Sequence, residues 1–102
     1  MNNNDDPALL KVRGETNFTS DDERKKYIKK LTSAILTVIS KHGYAKLKTV
    51  GASSGMNAWK AMANARGEAM KKGQDLVVEP SYDEANFGDK VKAAMIFKII
   101  SR

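Results

Sequence analysis

The chain has 102 residues, of which 41% are hydrophobic and 29% charged, a mixture typical of one folded domain rather than of a disordered or fibrous chain. It contains no cysteine, which excludes disulfides, thiolate metal sites and a cysteine nucleophile. The formal net charge is +6, and the excess is uneven, because Glu68 is the only acid between Arg24 and Lys72. A positive middle between acidic ends favours a polyanionic partner, since lysines that neutralise phosphates release counterions. The alternative is a lysine-rich surface that only keeps the domain in solution.

The first seven residues are mostly polar and predict a short disordered lead, followed by a single domain over residues 8–102. The lead lacks the basic start and apolar stretch of a signal peptide, and no apolar run approaches the roughly 20 residues that span a bilayer. We therefore expect no membrane segment and a cytoplasmic or nucleoid-associated protein.

The first half of the chain predicts a strand and a long helix. Leu9–Arg13 alternates apolar and basic residues, which is typical of a strand with one buried face. Ser20 and Glu23 have the spacing of a capping box, and Gly43 suits a left-handed helix end. Between them, residues at intervals of three and four form the side expected to be buried: Tyr27, Ile28, Leu31, Ile35, Val38, Ile39 and His42.

A second strand and a second helix follow. Lys46–Val50 alternates again and ends at Gly51, and the next helix is predicted from about Ser54 to Lys72. This helix carries a row of mostly small residues: Ala58, Ala61, Met62, Ala65 and Ala69. Small side chains let a helix backbone lie close to a sheet, so we expect this row to face the strands.

The last third predicts two strands. Asp75–Glu79 reads as a third strand closed by Pro80, Ser81–Lys90 as a turn-rich segment, and Val91–Ile100 as a fourth strand. The order is βαβαββ. The simplest packing is a two-layer α/β fold with a four-stranded mixed sheet and two helices on one face.

Strand alternation places a set of basic residues on the open face of this sheet, the face without helices. They are Lys11, Arg13, Lys46, Lys48, Lys92 and Lys98. The face lacks the exposed aromatic residues on which sheet-type RNA binders stack bases. It therefore predicts either a nucleic-acid contact, a solubilising surface or a contact between subunits.

The second helix also carries a recognisable motif. Its residues are Gly51-Ala52, then Asn57-Ala58-Trp59-Lys60-Ala61, Ala63, and Ala65-Arg66-Gly67. This motif, with Gly73–Pro80 after it and Leu10–Val12 at the start, resembles the stage V sporulation protein S family, which is similar to the Alba-like group of small nucleic-acid-binding proteins. The resemblance extends from about Leu9 to the C-terminus. It implies an Alba-like fold, a regulatory nucleic-acid-binding role, and a dimer or higher oligomer.

The chain departs from the Alba pattern at three places. Alba chromatin proteins have a basic hairpin between the last strands, whereas Tyr82–Asp89 is acidic here, and they have lysines where this chain has Gly14–Asn17. The charged entry to the first helix, Thr19–Lys30, is longer than the family pattern. These departures favour the sporulation-type branch over clamping of a DNA minor groove.

Gly51–Gly55 is glycine-rich between a strand and a helix, as a phosphate loop is, but it lacks the Gly-Lys-Ser/Thr ending of a nucleotide site. Backbone N–H groups at a helix start, with Ser53, Ser54 and Asn57 beside them, could hold one phosphate of a nucleic-acid backbone. The alternative is that Ser53 or Ser54 only caps the helix.

Our sequence-based interface prediction combines these features. The residues predicted to contact backbone phosphates are Lys46, Lys48, Ser53, Ser54, Asn57, Lys60 and Arg66. Those predicted to add nonspecific attraction are Lys25, Lys26, Lys29 and Lys30. Trp59 and Met62 are predicted at a homodimer or higher-oligomer interface, with burial in the core as the alternative for Trp59.

The sequence offers no catalytic constellation. His42 is the single histidine, and it is expected at a helix end in a structural role. No paired carboxylates or activated serine stand out, so we expect no enzymatic activity, no cofactor and no metal. The rival to nucleic-acid binding is a protein–protein assembly module, because the acidic Asp83–Asp89 segment could join the basic body of a neighbouring subunit.

Overall fold

The computed structural model describes residues 6–14 and 18–102, with every side chain in those ranges except that of Phe87. The first five residues of the predicted lead, and residues 15–17, lie outside the described residues. The elements are β1 (Leu9–Lys11), α1 (Asp21–His42), β2 (Tyr44–Thr49), α2 (Ala52–Lys71), β3 (Leu76–Phe87) and β4 (Lys90–Ser101). The predicted βαβαββ order is confirmed.

The strands form one mixed sheet in the order β1-β2-β4-β3, with β1 parallel to β2 and the other neighbours antiparallel. Both helices cover the same face. Ala45 and Leu47 of β2 and Phe97 and Ile99 of β4 are buried in one cluster with the apolar residues of α1 and α2. The predicted two-layer α/β fold is confirmed, and the opposite face of the sheet is the open sheet face.

α1 begins and ends as its sequence predicts. The Glu23 N–H donates to Ser20 Oγ at 3.2 Å, and Gly43 has a φ of 83°, in the left-handed region that glycine adopts without strain. The Gly43 N–H donates to the Ile39 carbonyl oxygen at 2.7 Å, which satisfies one of the last carbonyls of the helix. The buried residues are Ile28, Leu31, Thr32, Ile35 and Ile39.

α2 lies close to the sheet because its inner side is made of small residues. Ala58, Ala61 and Ala65 are fully buried, and Ala69 is almost so. The helix begins at Ala52, two residues before the predicted start, because Gly51 turns the chain directly from β2 with a φ of 88°. The predicted row of small residues is therefore confirmed, and the predicted helix start is corrected.

The prediction that β3 ends at Pro80 is wrong. β3 continues through Pro80 to Phe87 and pairs with β4 along its whole length, so the predicted turn-rich segment is a long hairpin with Gly88 and Asp89 at its turn. β3 is the outermost strand of the sheet, and an edge strand tolerates a proline because one side of its backbone has no partner strand. The outer half of the hairpin extends past the end of β2, which pairs with β4 only between Met95 and Ile100.

Candidate nucleic-acid interface

The fold places the predicted contact residues in two layers. Lys46 and Lys48 alternate with the buried Ala45 and Leu47 along β2, so their side chains leave β2 on the open sheet face. Lys60 lies on the exposed side of α2, in the helix layer, and Arg66 lies on the same helix. One surface of a single protomer therefore does not bring all the predicted cations together.

On the open sheet face, Lys46 has an intramolecular partner. Its Nζ lies 3.1 Å from Asp6 Oδ2, and the Asp6 carboxylate also accepts from the Tyr44 hydroxyl at 3.0 Å and from the Ala8 N–H at 2.8 Å. The Ala8 N–H, then Lys46 and Tyr44, lower the pKa of Asp6 below its ordinary value of 3.8. The same contact raises the pKa of Tyr44, because the phenol proton is held by Asp6.

Lys48 is a buried residue of β2 that contacts the outer half of β3. The residue is only 8% exposed, and its Nζ donates to the Glu84 carbonyl oxygen at 2.9 Å and lies 3.4 Å from Asp83 Oδ2. Both partners belong to the part of β3 that the sequence predicted as a turn. A buried ammonium group needs such partners, so Lys48 fixes the hairpin against β2.

The predicted phosphate loop is held by its own side chains. Ser54 and Asn57 are each 2% exposed. Ser54 Oγ accepts from the Val50 N–H at 3.0 Å and donates to the Val50 carbonyl oxygen at 2.8 Å, and Asn57 Nδ2 donates to the Arg13 carbonyl oxygen at 2.9 Å. Ser53 is half-buried, and its Cβ is 3.8 Å from the position a Cβ would take on Gly14. Ser54 and Asn57 thus tie the start of α2 to β2 and to the end of the β1 segment.

Arg13 lies beyond β1, so its predicted place on the open sheet face is wrong. Its guanidinium carbon is 4.5 Å from the centroid of the Phe18 ring and 5.3 Å from that of Tyr27. The Arg13 N–H donates to the Tyr27 hydroxyl at 3.0 Å, and a guanidinium nitrogen is 4.0 Å from a Glu23 carboxylate oxygen. β1 therefore ends at Lys11, two residues before the predicted end at Arg13, because these contacts bind the chain to α1.

The helix layer carries the largest group of cations whose side chains reach solvent. We call Lys25, Lys26, Lys29, Lys30 and Lys60 the helix lysine surface; all five are exposed. In the part of the chain that the structure describes, none of the five forms an ion pair with an acid. Arg66, in contrast, lies 3.5 Å from Asp75, which also accepts from Arg102 at 2.7 Å.

Trp59 and Met62, the two predicted interface residues on α2, differ in their exposure to solvent. Trp59 is 57% exposed, so the alternative that it is a core residue is wrong; one side of its ring packs on Phe97 with centroids 5.6 Å apart. Met62 is 5% exposed and belongs to the core cluster. Other large apolar side chains are exposed on α2 and on the hairpin, among them Met56 at 56%, Tyr82 at 82% and Val91 at 62%.

The sequence predicted that Tyr82 packs against the chain or a partner, but it did not predict the paired strand at Tyr82, and it did not identify Val91 as an interface candidate. Tyr82 pairs with Met95, two residues along β4 from Phe97, and paired residues point to the same face of a sheet. They therefore lie on the helix side of the hairpin, with Met95, Phe97 and Trp59. We call Met56, Trp59, Tyr82 and Val91 the apolar surface.

The described residues contain no group of three or more histidine, cysteine, aspartate or glutamate side chains placed to hold a metal ion. Neither helix in the described ranges is long and apolar enough to cross a membrane. Every buried side-chain nitrogen or oxygen there has a hydrogen-bond partner.

Comparison with known proteins identifies the family. The family model described as Stage V sporulation protein S (SpoVS) matches residues 23–102, which include everything from the first turn of α1 to the end of β4. No curated protein matches the chain significantly. The chain belongs to the stage V sporulation protein S family, as the motif on α2 predicted.

Proposed function

We propose that this member of the stage V sporulation protein S family is a regulatory protein, not an enzyme, that binds the phosphate backbone of nucleic acid as a homodimer with little sequence specificity. The observation that carries the proposal is the helix lysine surface, five exposed ammonium groups in one layer that have no acidic partner among residues 6–14 and 18–102. Phosphate contacts made by lysines supply affinity and position but do not read bases. Association with the nucleoid is part of the same proposal.

Cations that have no carboxylate partner among the described residues are the strongest candidates for contact with phosphate. Lys46, Lys48 and Arg66 already have carboxylate partners at 3.1, 3.4 and 3.5 Å, and a phosphate would have to replace those partners. Lys60 has no such competitor among the described residues. We therefore place the primary contact at Lys60 and the neighbouring α1 lysines, with Ser53 at the start of α2 as a further candidate.

The test is fluorescence anisotropy with labelled duplex DNA, single-stranded DNA and single-stranded RNA at several salt concentrations. Lys25→Ala, Lys29→Ala and Lys60→Ala combined should weaken binding to all sequences, and should reduce the salt slope by about 0.9 per lost duplex contact or about 0.7 per lost single-strand contact. The matched control removes the same charge elsewhere, at Lys11, Lys90 and Lys98. If both triple variants lose affinity equally, binding depends on net charge alone and the helix lysine surface is not the site.

Homodimer formation is supported by the apolar surface. A tryptophan that is more than half exposed, beside an exposed tyrosine and methionine, is typical of an interface, where aromatic residues and methionine are enriched. β3 adds an unpaired edge of 12 residues beside this surface. Trp59→Glu should convert a dimer to a monomer in light scattering, whereas Lys60→Glu on the same helix should leave the mass unchanged.

The apolar surface also favours the second candidate function, an assembly module without nucleic-acid affinity. The anisotropy and scattering experiments separate the two. A wild-type oligomer that binds none of the three nucleic acids at low salt would support the assembly module and contradict our proposal.

A further inference from the structure

A groove runs between α1 and α2 on the solvent side of the helix layer. It has a volume of about 590 Å³. α1 contributes Lys29, Ser33 and Leu36 to it, and α2 contributes Asn64, Gly67 and Lys71. We call it the helix groove.

At Ala63 and Gly67, α2 contributes mainly backbone to the lining of the helix groove, and we call this stretch its floor. Gly67 lies inside the helix with an ordinary negative φ, and a Cβ built on it would meet no atom within 4 Å. Neither backbone conformation nor packing within the chain therefore requires glycine. Glycine inside a helix costs roughly 0.5–1 kcal/mol of stability relative to alanine. Gly67 therefore lowers the stability of α2 and leaves its backbone exposed at this position. Ala63, one turn earlier, is also exposed and small.

The rims of the helix groove are basic. Lys29 and Lys71 line it directly, and Glu68, the one acid among the lining residues, lies 3.2 Å from Lys71. Lys25 is one helical turn before Lys29, and Lys60 is one turn before Asn64, so the basic rims continue toward the N-terminal ends of both helices. On the α1 rim, Lys25 and Lys29 are about 6 Å apart along the helix axis. On the α2 rim, Lys60 is followed by the neutral Asn64 and then by the Glu68–Lys71 ion pair.

Charge and shape together select the occupant. Packed helices lie about 8–10 Å apart, so the space between their outer ridges accepts one extended chain rather than a folded domain. Ammonium groups on both rims favour a chain that carries an anion in each unit, and the Ser33 hydroxyl and Asn64 amide add neutral donors between them.

We infer that the helix groove seats one phosphodiester strand, with its backbone against Gly67 and its phosphates between the lysines of the two rims. This inference rests on the proposed nucleic-acid function and assigns its site. The strand comes either from single-stranded nucleic acid or from one backbone of a duplex, and both present the same phosphate chemistry to the groove.

The test fills the groove without changing charge. Gly67→Gln places a long neutral side chain on the floor, and glutamine forms helix better than glycine. We expect a higher urea midpoint of unfolding together with at least a tenfold loss of affinity, so stability and binding move in opposite directions. Gly67→Ala should raise the midpoint with a smaller loss of affinity. Met70→Gln, at a residue of α2 that is 54% exposed and does not line the groove, is the matched control and should bind within twofold of wild type.

The outcomes separate this inference from the function on which it rests. If Gly67→Gln binds both labelled single strands and labelled duplex as tightly as wild type, the helix groove is overturned, while a loss in the lysine triple variant would still support nucleic-acid binding. If wild type binds neither ligand, the proposed function itself fails. A loss on single strands alone, or on duplex alone, supports the groove and identifies the source of the strand.

Discussion

Replacing Asn57 by alanine tests whether this residue has a framing role, in which it stabilises the fold, or contacts a ligand. Asn57 is 2% exposed, and its Nδ2 donates to the Arg13 carbonyl oxygen at 2.9 Å across 44 residues of sequence. The bond joins α2 to the segment that leaves β1. Alanine removes the donor and leaves the Arg13 carbonyl without it in a partly buried position.

The expected cost follows from the loss of this hydrogen bond, whose donor is buried. Removing one partner of a buried hydrogen bond costs about 1–3 kcal/mol. For a domain of this size each kcal/mol lowers the melting temperature by roughly 4–8 °C, so a loss near 2 kcal/mol corresponds to roughly 8–16 °C. Urea unfolding can be followed by the fluorescence of Trp59, the single tryptophan. One fixed protein concentration is used, because the stability of the proposed homodimer would depend on concentration.

Asn64→Ala is the matched control on the same helix, because Asn64 is exposed. It should leave the free energy of unfolding unchanged or raise it slightly, since alanine is the better helix former. An Asn57→Ala variant that unfolds within about 0.5 kcal/mol of wild type but binds nucleic acid poorly would refute the framing role. It would also support the sequence prediction that Asn57 contacts phosphate.

Two further predictions concern stability. Gly43→Ala should lower the free energy of unfolding by about 1–2 kcal/mol, because a φ of 83° is strained for any residue with a Cβ. Gly55→Ala in α2 is the control and should not lower it. Equal effects of the two substitutions in urea unfolding would contradict the left-handed cap. The folded pKa of Asp6 is lowered, so its contribution to stability is present above its ordinary value of 3.8 and is lost as the pH falls through the folded pKa. Asp6→Asn should therefore reduce stability at pH 6 and flatten its decline between pH 4 and pH 2, and a decline as steep as that of wild type would argue against the Asp6–Lys46 contact.

Local sequence patterns predicted the structural features that depend on contacts between residues close in sequence. The spacing of apolar residues identified the buried side of α1, and Gly43 marked the end of that helix, because both depend on contacts within a few residues. β3 was predicted too short, because Pro80 reads as a strand breaker unless the strand is known to lie at the edge of the sheet. Strand order is a tertiary property, so the sequence pattern alone could not supply that condition.

The interface was harder to predict, because a sequence identifies cations but not their partners. Asp6 is separated from Lys46 by 40 positions and Asp83 from Lys48 by 35, and only the fold brings each acid to its lysine. The same fold leaves Trp59 at the surface, although its neighbours Ala58 and Ala61 are fully buried. Helical periodicity placed these three residues near one another but did not show how far β4 extends beneath α2.

The placement of the acids explains why the net positive charge belongs to the helix layer. Three acids lie on the open sheet face, where Asp6 meets Lys46, Asp83 meets Lys48, and Glu79 pairs with Lys98 across neighbouring strands. Lys46 and Lys98 are themselves directly opposite each other, and like charges in that position repel, so acids beside them stabilise the sheet. On the helices, Arg24, Arg66 and Lys71 have acidic partners, whereas among the described residues none of the five lysines of the helix lysine surface forms an ion pair with an acid. An approaching polyanion is therefore attracted first to the helices, although β2 carries two of the lysines that the sequence alone had favoured.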